Sequence, residues 1–157
     1  MKGNATTNNM VLLSIKPKYA DKIFKGTKTV ELRRFCPKVI EGDLVLVYVS
    51  SPVKALVGEF EVGKIIKARP DLLWKKVQNY ACINRKEFNS YYTGAIVGYG
   101  IFLKKAWQLT EPLHLENLKE KWPNFHPPQI YHYLTPQQVD FYQYHRINFP
   151  TSKRTTI

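Results

Sequence analysis

The sequence predicts an α+β fold, a small and partly closed β-barrel of about five to seven strands with helices at its periphery. Three observations lead there. Apolar, β-branched segments of strand length outnumber segments with helical period. The strand-like segments are short, and Gly58 and Gly63 interrupt one of them where a curved sheet can bend or bulge. The 157 residues, 44% of them apolar, supply one sizeable core, with no internal repeat and no linker.

Residues 1–9 are polar and are expected to form a disordered tail; 10–150 form a single domain, and 151–157 a loose basic tail. Met10–Ile15 is an unbroken apolar run, short enough for a buried strand. Pro17 suits the first turn of a helix, where its missing N–H costs nothing. Tyr19, Ala20, Ile23 and Phe24 make one apolar face of that helix, and Gly26 stops it. Residues 29–33 alternate: Val30 and Leu32 point one way, and Thr29, Glu31 and Arg33 the other. Glu41-Gly42-Asp43 makes a turn into the strand Leu44–Val49, which Ser50-Ser51-Pro52 ends. Residues 55–66 read as a strand and 71–80 as a helix. Asn84 and Glu87 form a capping box before Phe88, Tyr91 and Tyr92. Residues 95–103 and 107–113 read as two further strands, and 115–122 as a short helix stopped by Pro123. Thr135 and Gln138 form a second capping box, with Leu134 and Val139 flanking it as a hydrophobic staple.

The formal net charge is +12 and the pI about 9.7, which favours a polyanionic partner, RNA or a nucleotide first. Ten tyrosines and three tryptophans offer stacking surfaces besides core volume. Cys36 and Cys82 lie far apart and have no paired spacing. His114, His126, His132 and His145 share no metal-ligand spacing, so neither a metal nor a cofactor is expected. No apolar run reaches the roughly 18–20 residues of a membrane helix, and the first residues lack an apolar signal core. The expected setting is cytoplasmic.

Charge concentrates at residues 11–34. Lys16, Lys18, Lys22, Lys25, Lys28, Arg33 and Arg34 face only Asp21 and Glu31 there. The spacing Gly26-x-Lys28-x-x-Glu31-x-Arg33, preceded by Ser14-Ile15-Lys16-Pro17, resembles the ASCH domain, a branch of the PUA-like superfamily. Residues 53–64 and 94–101 continue the resemblance more loosely. The segment 127–134, Pro-Pro-Gln-Ile-Tyr-His-Tyr-Leu, resembles a closing segment of longer members.

The resemblance implies a PUA-like barrel whose Gly-x-Lys-x-x-Glu-x-Arg face meets a ligand in a helix-lined cleft. Family members are thought to bind RNA or modified nucleotides. One branch deacylates N4-acetylcytidine, and ribonuclease activity is attributed to others. Candidate ligand-binding residues are therefore Ser14, Lys16, Lys28, Thr29, Glu31, Arg33, Arg34, Tyr48, Tyr99, Gln129, Tyr131 and His132. Lysine and arginine suit phosphates, Glu31 suits a base amino group or a ribose hydroxyl, and the tyrosines suit stacking. Plainer readings stand beside these. Lys18, Lys22 and Lys25 form a solvated helix face, Glu31 and Arg33 an ion pair, and Tyr48 and Tyr99 core or cleft wall.

RNA or nucleotide binding is the leading expectation. An enzyme in the same cleft and a module for a small anionic metabolite are the alternatives. In an enzyme Lys28 would be the base or nucleophile. The deacylating branch has threonine where this chain has Glu31, an anion that raises the lysine pKa. For that branch's acid the nearest candidate is Glu87, which capping already explains.

Overall fold

The computed structural model describes residues 10–149 and, as backbone, 151–156. The expected disorder of residues 1–9 falls outside the described residues. Strand β1, Met10–Ile15, pairs in parallel with β3, Leu44–Val49, residue by residue from Met10 opposite Leu44. Between them the chain makes helix α1, Pro17–Phe24, and strand β2, Val30–Arg33. Strand β4, Ala55–Ala68, runs antiparallel to β3, and β5, Gly98–His114, runs antiparallel to β4. Helices α2, Pro70–Val77, and α3, Arg85–Tyr91, fill that connection. After β5 come α4, Leu115–Lys121, the two-residue strand β6, His132–Tyr133, and α5, Pro136–Asn148. The final strand, β7, spans Thr151–Thr156. The sheet order is β2-β5-β4-β3-β1-β6, with β7 also on β5. The Arg33 side chain on β2 reaches the Ser14 carbonyl on β1 at 3.4 Å, so the sheet curls until distant strands nearly meet.

Local chemistry explains the curl. Register shifts fall between Val47 and Tyr48 on β3 and at three places along β4, one of them spanning Gly63. At Gly58 a Cβ atom would lie 2.3 Å from the Trp107 carbonyl oxygen and 2.6 Å from the Phe24 ring. Glycine there lets α1 press onto the sheet. Gly26, at φ +82°, takes the left-handed turn that ends α1.

Three apolar clusters hold the fold together. Val11, Leu13, Ile15, Val45, Val47, Phe60, Ile101 and Leu103 fill the concave face with Ala20 and Ile23 of α1. Leu12, Leu46, Tyr48 and Leu56 face the opposite side, under Leu118 of α4 and Tyr142 of α5. Val30 and Leu32 pack with Leu73 and Val77 of α2 and with Phe88 of α3.

Two expectations change. The segments 95–103 and 107–113 are one strand of 17 residues, because β4 pairs along most of its length. The expected loose end is instead a strand, since the sheet edge at Lys105–Leu109 offers β7 unpaired backbone groups. Asn84 does cap α3 by accepting from the Glu87 amide, and Thr135 and Gln138 form a reciprocal box on α5. No helix among the described residues is long and apolar enough to cross a membrane.

Candidate functional site

The alternation in β2 gives its side chains two destinies. Val30 and Leu32 anchor the strand on α2 and α3, which turns Glu31 and Arg33 toward the concave side. There they border a cleft of about 610 Å³, within the ~300–1,000 Å³ of small-ligand sites. The cleft is also lined by Ser14, Lys16, Lys18, Tyr19, Lys28, Glu87, Tyr91 and Gln129, among others.

Its floor is a chain of buried charges. Lys28 is 2% exposed, Glu31 6% and Arg33 9%. Glu31 bridges the two cations: Oε1 lies 3.8 Å from Lys28 Nζ and Oε2 3.3 Å from Arg33 Nη1. Lys28 Nζ also donates to the Ala81 carbonyl at 2.7 Å. Arg33 donates to the carbonyls of Ser14 and Ile130. Burial pushes the Lys28 ammonium below its ordinary pKa, and Glu31 opposes that shift.

The opposite wall comes from α1 and α3. Tyr19 donates its hydroxyl to Glu87 Oε2 at 2.8 Å, and Lys18 Nζ approaches the same oxygen at 3.2 Å. These bonds hold the Glu87 carboxyl below its usual range. The Tyr19 ring also lies 5.0 Å from Lys28 Nζ. Tyrosine thus sits between the buried lysine and the half-buried carboxylate. The segment before β6 closes the end of the cleft. Ser14 Oγ donates to the Pro128 carbonyl at 2.7 Å, and Arg33 holds the Ile130 carbonyl. Gln129 lies between these two anchors and faces the cleft with no side-chain hydrogen bond among the described residues.

Of the candidate residues, Ser14, Lys16, Lys28, Glu31, Arg33 and Gln129 meet at this cleft. Lys28 forms part of the floor, because its aliphatic stem and ammonium are both covered. Six others lie elsewhere. Tyr48 is 2% exposed in the cluster on the far side of the sheet, one residue out of phase with Val47, and cannot reach a ligand in the cleft. Thr29 bonds through its backbone to Tyr80 and Leu103. Arg34 donates to the carbonyls of Tyr91 and Thr93, both at 3.0 Å, and so ties down the end of α3. His132 pairs with Gln138 Oε1 at 2.8 Å, edge-on to Phe125. Tyr131 packs on the concave cluster and on Tyr133. Tyr99 lies beside Arg33 on the neighbouring strand, outside the cleft lining. Tyr19 and Tyr91 escape a reading of the sequence, because tyrosine on an amphipathic helix looks like core. Glu87 is legible as a cap, and it does both jobs: its amide bonds Asn84 while its carboxylate meets Tyr19.

The ASCH domain pattern matches residues 13–130, three quarters of the chain and all of the cleft floor. The chain belongs to the ASCH domain family. It is 29% identical over 128 residues to an ASCH domain-containing ribonuclease of Zymomonas mobilis, covering 82% of this chain and 86% of that protein. The crystal structure of ASCH from Zymomonas mobilis superposes with TM-score 0.81 at 26% identity, over 92% of this chain and 96% of that one. A hypothetical protein from Leishmania major shares the fold at TM-score 0.58 and 15% identity, over 92% and 98% of the two chains. A large ribosomal subunit protein of Ureaplasma parvum is 32% identical over 112 residues, which are 69% of this chain but 35% of that protein. The fold is thus the α+β, PUA-like barrel of this family.

Proposed function

We propose that the protein binds RNA and that one nucleotide of the strand enters this cleft. The carrying observation is the meeting of Lys28, Glu31 and Arg33 with Gln129 and Tyr91 around a cavity of nucleotide-ligand size. Each group suits one part of a nucleotide. Gln129 offers an amide donor and acceptor for a base edge. Tyr91, 37% exposed, offers an aromatic wall. Lys16 is exposed and has no acidic partner among the described residues, so it is free for a phosphate. Lys28 and Arg33 are committed to internal acceptors and set the field of the site rather than gripping phosphate as free forks.

The test is binding of short single-stranded RNAs and nucleoside monophosphates by unaltered protein, Lys16→Ala and Gln129→Ala. Lys16→Ala is expected to weaken all ligands alike and to lower the log–log salt slope by about 0.7. Gln129→Ala is expected to change the order of preference among bases. A single ranking shared by all three proteins would reject the reading.

A second reading, cleavage of the bound RNA, is favoured by the two groups flanking Tyr19. Attack of a ribose 2′-hydroxyl on the adjacent phosphate needs a base to take its proton and an acid to protonate the leaving 5′-oxygen. Glu87, which its hydrogen bonds hold ionised at the cost of basicity, is the candidate base, and Lys28, whose ammonium gives up its proton more readily than usual, is the candidate acid. The similarity to a ribonuclease along most of its length supports this reading. Glu87→Gln and Lys28→Met are each expected to stop formation of 2′,3′-cyclic phosphate ends while RNA is still bound. Cleavage that survives both changes rules this mechanism out.

A further inference from the structure

The concave face does not end at the cleft. Arg33 on β2 is directly opposite Tyr99 on β5, and Tyr99 is directly opposite Lys67 on β4. Opposed residues in antiparallel strands project from the same face. The next row inward, Glu31–Ile101–Ile65, confirms which face this is, since Ile101 and Ile65 pack in the concave cluster. A row of cation, aromatic and cation therefore crosses three strands from the cleft floor. It spans about 10 Å at the usual strand spacing.

The row is built firmly at its inner end and left open at its outer one. Tyr92, the residue after α3, donates its buried hydroxyl to the carbonyls of both Arg33 and Tyr99, at 3.2 and 3.4 Å. β3 pairs with β4 only as far as Glu61, so β4 at Lys67 has no strand on its other side among the described residues. Lys67 is exposed, its Nζ 5.9 Å from the centroid of the Tyr99 ring, and it has no carboxylate partner among the described residues. Tyr99 is half-buried, and its hydroxyl has no partner there either. An aromatic ring beside an unpaired cation, one strand away from a nucleotide-sized cleft, suits a second base and its phosphate.

We propose that Tyr99 and Lys67 form a second subsite that stacks and neutralises the nucleotide next to the one in the cleft. The ligand is then a single strand of at least two nucleotides, because bases in a duplex do not expose a face to an aromatic side chain. This rests on the RNA-binding reading above and extends it to the length and strandedness of the ligand.

The experiment compares one nucleoside monophosphate with a six-nucleotide single-stranded RNA, by calorimetry, with RNA integrity checked on gels. Tyr99→Leu is expected to weaken the hexamer about tenfold or more and to leave the monophosphate unchanged. Lys67→Ala is expected to lower the hexamer's log–log salt slope by about 0.7, again without effect on the monophosphate. Lys67→Glu, at an exposed site, should weaken the hexamer further and carries the test if Tyr99→Leu misfolds. Equal losses on both ligands, or none on the hexamer, overturn the subsite and leave the cleft reading standing. Failure of the unaltered protein to bind either ligand overturns both.

Discussion

Replacing Glu31 with glutamine tests the charge chain at the cleft floor. The shape is kept and one negative charge is lost between two cations, at 3.8 Å from Lys28 and 3.3 Å from Arg33. At an effective dielectric constant of about 20, Coulomb's law gives attractions of ~4 and ~5 kcal/mol at these distances. Desolvation of all three groups cancels much of that sum. Removing one partner of a buried pair still costs about 3–5 kcal/mol, because the remaining charge stays buried. The glutamine oxygen can still accept from Arg33, which places the cost near the lower end, about 3 kcal/mol. For a domain of this size that is a fall in melting temperature of about 6–12 °C. Thermal and urea melts at pH 7 measure it. The same change adds a positive increment to the cleft, so ligands held only by phosphate contacts should tighten. Ligands whose base or sugar donates to Glu31 should be lost. A melting temperature within 2 °C or so of the unaltered protein would refute the reasoning, since the three charges could not then be coupled as their distances require.

Lys28→Met should leave stability within about 1 kcal/mol at neutral pH, because it removes a desolvated ammonium while Glu31 keeps Arg33. In the unaltered protein the folded state releases the Lys28 proton before the unfolded chain does. Stability therefore rises from the lowered pKa up to about 10.5, and that rise should vanish in Lys28→Met melts taken across the window. Glu59 has the opposite sign. It is fully buried, held by Tyr142 at 2.7 Å and Arg146 at 3.0 Å, and burial raises its pKa from 4.5. Its ionisation costs stability, so the difference between unaltered protein and Glu59→Gln should shift against the unaltered protein as pH rises from 4.5 through the raised value. A difference independent of pH would contradict the burial of this carboxyl. Thr135→Ala should cost about 1 kcal/mol in urea melts by removing the reciprocal cap of α5.

Much of this protein is local, and the sequence determined it. Proline at the start and glycine after the end bound α1, and hydroxyl or amide residues three before a glutamate or glutamine mark the starts of α3 and α5. The period of two in β2 separates Glu31 and Arg33 from Val30 and Leu32, because neighbouring strand residues must face opposite ways. Periodicity names two faces but not what covers each. Tyr48 shows the limit: its strand looks equally apolar on both sides, and only the docking of α4 and α5 buries it away from the cleft. Three further features depended on tertiary structure. Tyr19 meets Glu87 across 68 residues of chain, Arg33 is locked by backbone carbonyls from β1 and from residue 130, and Tyr99 joins Arg33 to Lys67 only through sheet register. Backbone acceptors carry no side-chain signature, and register is fixed by the pairing of whole strands. The sequence therefore determined which residues bear the chemistry, and the curling of the sheet decided which of them meet.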